Sequence, residues 1–352
     1  MSVLDIYAGK KAFKRIQQQG FSADLFDYIL GASGGPKWFI LAGLDRFIFA
    51  EFFANRHKPI QAIGSSAGAF RMACFAQDDP LAAINRLADR YSHTVYSDRP
   101  NSKEITEKGN ALLEFVLGDD GAQQILKNKI VKAHFVVAKC KGLTKFSSKS
   151  LQMTGLAMSA GANFFNRKYL SHFYQRYIFS SPNSHLEIND PYQMGCTTVS
   201  LKQNNLKDAL MASGSIPIII NGVKNIAGAS KGVYRDGGLI DYHFDLSFGP
   251  SDGLILYPHF YSKVIPGWFD KSLKNRLAHS SSYDNVVMLV PSDEFIYNLP
   301  FHKIPDRKDF ETMPSTQRIS YWQEVIGKSN QLADVFQIMC QNNDFLHSIK
   351  HL

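Results

Sequence analysis

Residues 59–77 read PIQAIGSSAGAFRMACFAQ, and the turn in the middle decides how the rest of the chain folds. Residues 59–63 form a short aliphatic run that ends at Gly64, the pattern of a buried strand, and 67–77 have the composition of a helix. Between them Gly64-Ser65-Ser66-Ala67-Gly68 fits G-x-S-x-G. A serine on so tight a strand-to-helix elbow has its hydroxyl exposed. Small neighbours permit the strained backbone, and the amides that open the helix face an oxyanion. A Gly/Ser/Ala-rich βα turn without chemistry gives the same letters, so the weight lies on the strand before it and the helix after it.

Working outward, residues 25–30 (LFDYIL) form another apolar run, closed by Gly31. Residues 38–54 are apolar on nearly every face, interrupted by Asp45, Arg46 and Glu51, as a well-buried helix would be. The first 80 residues thus read strand–turn–helix twice, which predicts βαβ units and an α/β fold with a mainly parallel sheet covered by helices. Further strands are expected at 134–140, 197–201, 253–257 and 285–290, and short helices at 12–19 and 206–211. Residues 145–195, rich in aromatics, read as an insertion on this core, and 315–352 as a helical C-terminal region. With neither an internal repeat nor a linker-like shift in composition, residues 1–352 are expected to form a single domain.

A second glycine-rich turn, Gly31-Ala32-Ser33-Gly34-Gly35-Pro36-Lys37, precedes the 38–54 helix. Successive glycines at a helix start offer several N–H groups to an anion, and Lys37 adds a positive charge. The turn is neither a P-loop, since Trp38 follows Lys37, nor G-x-G-x-x-G. It is either a phosphate cradle or an oxyanion hole serving Ser66. Both turns would meet at the carboxyl edge of the sheet, where open α/β sheets bind ligands. Two more segments complete the set: Ala212-Ser213-Gly214-Ser215-Ile216-Pro217, and Asp236-Gly237-Gly238.

In this order the four segments resemble the patatin-like phospholipase family, with its glycine-rich oxyanion turn, G-x-S-x-G, A-S-x-x-x-P-like segment and D-G-[GA]. The resemblance covers residues 25–70 and 205–242. It implies a three-layer α/β/α fold and a lipid acyl hydrolase of the phospholipase A or lysophospholipase type, needing neither cofactor nor metal. Ser66 would be the nucleophile and Asp236 the base of a Ser–Asp dyad. The oxyanion donors would be Gly34, Gly35 and the amides of Lys37 and Ala67. The family's G-G-G-x-x-G is altered here, with Ser33 and Trp38 at its first and last positions. The same site would also serve acyl transfer, and a weakened one a lipid-binding protein.

Elementary chemistry agrees with the dyad, because a hydroxyl attacks only when an adjacent base takes its proton. The rival is a Ser–His–Asp triad completed by His243, His259 or His302. Against it, Ser66 follows only two predicted strands and no HGGG-type turn exists. Those histidines, with His57 and His134, are expected at the surface or in turns. Asp78-Asp79 before Pro80 reads as a helix stop.

The chain has 352 residues, 45% hydrophobic and 20% charged, which excludes disordered, collagen-like and coiled-coil classes. Its net charge of +8 calls for an anionic partner. Basic residues at 139–149 and the aromatic-basic run 257–269 carry no nucleic-acid motif; with the phospholipid or lysophospholipid substrate that the resemblance implies, peripheral contact with an anionic membrane is expected, and no nucleic acid. Oligomeric state is left open. Cys74, Cys140, Cys196 and Cys340 have no metal or disulfide spacing and are expected as buried thiols. The N-terminus lacks a Sec-type apolar core, and no stretch suits a spanning helix. A cytoplasmic or peripheral-membrane location is expected, with export by a non-Sec route left open.

Overall fold

The computed structural model describes residues 2–342 and 345–352. Its strands, in chain order, are β1 (Leu4–Ala8), β2 (Phe26–Gly31), β3 (Ile60–Ser65), β4 (Val131–Cys140), β5 (Tyr174–Ser180) and β6 (Glu187–Asn189). They continue with β7 (Cys196–Ser200), β8 (Val223–Lys224), β9 (Val233–Asp236), β10 (Ser247–Gly249), β11 (Leu254–Pro258), β12 (Val286–Pro291) and β13 (Ile349–His351). Eleven of them share one sheet, whose main path runs β13-β1-β12-β11-β2-β3-β4-β5-β7. Six of its ladders are parallel and four antiparallel. The protein is therefore α/β, with a mostly parallel central sheet flanked by helices.

The central strands are buried along nearly their whole length, as parallel strands beneath helices must be, so they read as unbroken aliphatic runs. Strands β2 and β3 pair in parallel with Gly31 opposite Gly64. A Cβ at Gly68 would overlap the Gly31 carbonyl, and one at Gly64 would overlap the carbonyl of Gly68. The outer glycines of G-x-S-x-G thus let helix Ala67–Phe75 rest directly on the ends of two strands. Asp45, read as an interruption, is wholly buried and accepts a bidentate pair of hydrogen bonds from Arg71 of that helix, both 2.7 Å. This fork locks together the helices that follow the two glycine-rich turns.

Strand β4 explains how distant residues reach the elbow. Its first part pairs with β3, ending with Val136 opposite Ser65. Where β3 stops, β9 comes in antiparallel along the same edge and sets Asp236 opposite Val137. Successive residues of one strand therefore hold the two chain ends that carry Ser66 and Asp236.

Several expectations need correction. The 145–195 segment is no separate insertion, because β5 lies within it and pairs with β4 over seven residues. Its Arg176 is buried and paired with Asp241 and Asp190, so the charge inside the sheet is compensated on both sides. The C-terminal region is helical at Ser315–Lys328 and Asn330–Asn342 but ends in β13, alongside β1. Residues 38–54 begin as a 3-10 turn (Gly35–Leu41), continue as α-helix (Ala42–Phe47) and widen to a π turn (Ile48–Phe52). Asp79 starts a helix instead of ending one, its carboxylate accepting from the Ala82 amide at 2.9 Å. His134, His243 and His259 are buried, not superficial. Of the cysteines, Cys74 and Cys140 are buried but Cys196 is exposed. Among the described residues no helix is long and apolar enough to cross a membrane.

Candidate active site

Ser66 stands between β3 and helix Ala67–Phe75 with φ 54° and ψ −126°. A non-glycine residue there is strained by about 1–3 kcal/mol, and such strain persists where surrounding structure holds it. Two hydrogen bonds do so. The Ser66 amide donates to Ser213 Oγ at 3.0 Å, and Ser213 in turn donates to the Val136 carbonyl at 2.7 Å. The serine of the 212–217 segment is thus a brace between the elbow and β4, a role its sequence did not announce.

Ser66 Oγ donates to Asp236 Oδ2 at 2.8 Å, with no histidine between them. The other carboxylate oxygen accepts from the Gly238 amide at 2.7 Å. Burial raises the Asp236 carboxyl from 3.8 to about 6, and the Ser66 hydroxyl, the Gly238 amide, Arg307 and Lys271 oppose that rise. Above pH 6 the group is a base within reach of the serine proton. Of the histidines weighed for a triad, His243 lines the same cleft, but its Nδ1 accepts from the Ile265 amide at 3.0 Å and burial holds it neutral. His259 is likewise buried and neutral, and His302 is exposed.

The glycine-rich turn lies against this pair. Gly34 and Gly35 line the cleft beside Ser66, and Gly35 has φ +55°, the left-handed region that favours glycine. A helix start leaves its first N–H groups without intrahelical acceptors, which applies to Gly35 and to Ala67 alike. The Lys37 amide is different, since it donates to the Gly34 carbonyl at 3.3 Å and closes the turn. That amide is therefore engaged within the turn and is not free to serve as the oxyanion donor expected of it. Ser33, the departure from a third glycine, bonds the two turns together through a 3.0 Å contact from its Oγ to Ser65 Oγ. Trp38 is buried in the wall.

Two cavities meet at Ser66. One is a narrow channel of about 110 Å³ walled by Trp38, Phe70, Leu87, Leu112, Met211 and Ile216. The other, about 550 Å³, carries Lys37, Lys271, Arg307 and Lys308 along with Asp236. Lys37 Nζ pairs with Asp306, and burial lowers its ammonium to about 8. Lys271 is lowered to about 7, first by desolvation in the cleft and then by Arg307 and Lys37. Lys37 belongs to the glycine-rich turn read from the sequence, whereas Lys271, Arg307 and Lys308 come from loops after residue 260 that carry no motif. Comparisons with family models, with curated proteins and with solved structures find no match to this chain, so the geometry of Ser66 and its surroundings is what bears on function.

Proposed function

We propose that the protein is a serine-dependent lipid acyl hydrolase of the patatin-like kind, cleaving carboxylic esters of phospholipids or lysophospholipids. The observation that carries this reading is the direct 2.8 Å hydrogen bond from a strained elbow serine to a buried carboxylate of raised pKa. In the first step Ser66 Oγ attacks the ester carbonyl while Asp236 takes its proton. The oxyanion that forms is met by the amides of Gly34, Gly35 and Ala67, each such donor being worth about 10²–10³ in rate. Collapse expels the alcohol, which leaves with the proton held by Asp236. Water then attacks the acyl-serine, giving its proton to Asp236 and restoring Ser66 as the fatty acid departs.

The two cavities support an amphiphilic substrate. An acyl chain suits the apolar channel, and a phosphate-bearing head suits the chamber with Lys271 and Arg307. The test is a fluorophosphonate label and fatty-acid release from phospholipid in wild-type, Ser66→Ala and Asp236→Asn proteins. Label on Ser66 and loss of release in both variants is expected. Full release by Ser66→Ala would sink the assignment. Adding an alcohol acceptor and analysing products separates hydrolysis from acyl transfer.

A further inference from the structure

Helix Lys149–Phe165 is folded inside out. Its buried positions are Gln152, Gly155, Ser159 and Asn163, spaced to form one stripe. Each polar member of that stripe bonds to the protein: Gln152 bonds the Phe146 carbonyl and the Ile218 amide, Ser159 donates to the Gly155 carbonyl, and Asn163 Nδ2 donates to the Asp270 carboxylate at 2.7 Å, its Oδ1 left buried without a partner among the described residues. The opposite face is turned to solvent with Met153 at 52%, Met158 at 52%, Phe164 at 63% and Phe165 at 79% exposure. From Ser150 to Phe165 the helix has no charged residue. An ordinary surface helix has the reverse polarity, its apolar stripe inward and its charges outward. A large exposed apolar face of this kind marks a place where something else binds.

Charge says what that partner is. Between Asp120 and Glu187 the chain has no acidic residue and ten Lys and Arg. Lys145 and Lys149 stand exposed at the start of the helix and Lys168 just past its end, with Phe146 and Tyr169 exposed beside them. Lysines flanking an apolar helix face that carries Phe and Met fit the boundary of an anionic bilayer, with the rings among acyl chains and the ammonium groups among headgroups. A second copy seated on this face would bring the same basic ends against one another. The position is also apt, because the inward stripe grips both rims of the cleft. Gln152 holds Ile218, which neighbours Ile216, Pro217 and Ile219 of the cleft wall, and Asn163 holds Asp270, next to Lys271.

We infer that the outward face of helix Lys149–Phe165 is the surface by which the protein docks on anionic lipid bilayers, setting the mouth of its cleft at the membrane. This rests on the lipid-hydrolase reading for its purpose, but the docking is measured without catalysis. Ser66→Ala protein is sedimented with phosphatidylcholine vesicles, with and without about 30 mol % phosphatidylserine. Binding to the anionic vesicles is expected. Phe164→Ser with Phe165→Ser should weaken it about tenfold or more, and Lys145→Gln, Lys149→Gln and Lys168→Gln about fivefold each. All variants, built with Ser66 intact, should cleave a soluble short-chain ester at the wild-type rate, which reports that they are folded. Vesicle binding unchanged by the double Phe variant overturns the inference. So does light scattering that shows a dimer dissociated by that variant. Failure of every protein on the soluble ester would instead strike the hydrolase reading and leave the vesicle result to stand.

Discussion

The two cavities that share Ser66 differ in character: one is small and walled mainly by apolar side chains, with Lys108 among them, and the other is five times larger and lined by four cations and three carboxylates. On the proposed reading chemistry sits at the point where they join, and selectivity divides between them. The channel discriminates by volume, because packed apolar walls resent one methylene too many. On the same reading the chamber discriminates by charge, through Lys271 and Arg307. Neither wall needs to know about the other, and each can be altered alone.

The largest expected effect disarms Ser66, which both cavities share. Asp236→Asn should cut kcat/KM on every ester at least about 10⁴-fold. Stability should move the other way. A carboxyl raised in the fold from 3.8 to about 6 costs stability above its unfolded pKa, so the substitution should stabilise by up to about 3 kcal/mol at pH 8. The gain should shrink as pH falls through 6 and vanish below 4, and melting curves across that range would show it. Asp45→Ala should cost about 3–5 kcal/mol in chemical denaturation, since it strands the buried Arg71 that ties the two turn-bearing helices. A smaller loss without effect on the fold would mean that the helices hold without their clamp.

Gly109 faces the channel near Met211, so Gly109→Leu should shorten it. Hydrolysis of long-chain esters should drop about 100-fold while a butyryl ester is nearly unaffected. Equal losses on both would show that the channel is not where the acyl chain goes. Lys271→Ala and Arg307→Ala should each raise KM for an anionic lysophospholipid about tenfold and leave a neutral ester alone. The pH profile sharpens the same contrast. For a neutral ester kcat/KM should rise through pH 6 and level off as Asp236 loses its proton, whereas for an anionic one it should decline again above 7 as Lys271 loses its charge. Identical profiles would put the charged head elsewhere.

What the sequence disclosed follows a physical division. The elbow was legible because a strand-to-helix turn this tight needs small residues, Gly64 being pressed by the Gly68 carbonyl four residues on, and Asp236-Gly237-Gly238 because Asp236 closes its own turn onto the Gly238 amide. The strands β2, β3, β11 and β12 were legible as aliphatic runs. Strand β5 was not, because YQRYIFS carries an arginine whose burial depends on Asp241, 65 residues on. Strand β9 is four residues long with a buried Arg235 and gives no periodic signal. The change from 3-10 to α to π turns along residues 35–52 leaves the apolar residues inward throughout, so composition does not register it. Buried histidines misled for the same reason as β5: His134 is acceptable inside only because Ser180 and Gln61 meet its two nitrogens. Partners that arrive from far along the chain leave no local mark.

The way β4 holds Ser66 and Asp236 side by side has a consequence for the making of the protein. The bond between them closes a loop of 170 residues, and β11, which seats beside β2, comes later still in the chain. Contacts of such separation form late in folding. A chain emerging from the ribosome thus carries Ser66 through about half of its synthesis before Asp236 is made, and on the proposed reading it can attack an ester only once its sheet is nearly whole. On that reading the return of esterase activity during refolding is a clock for the last assembly step.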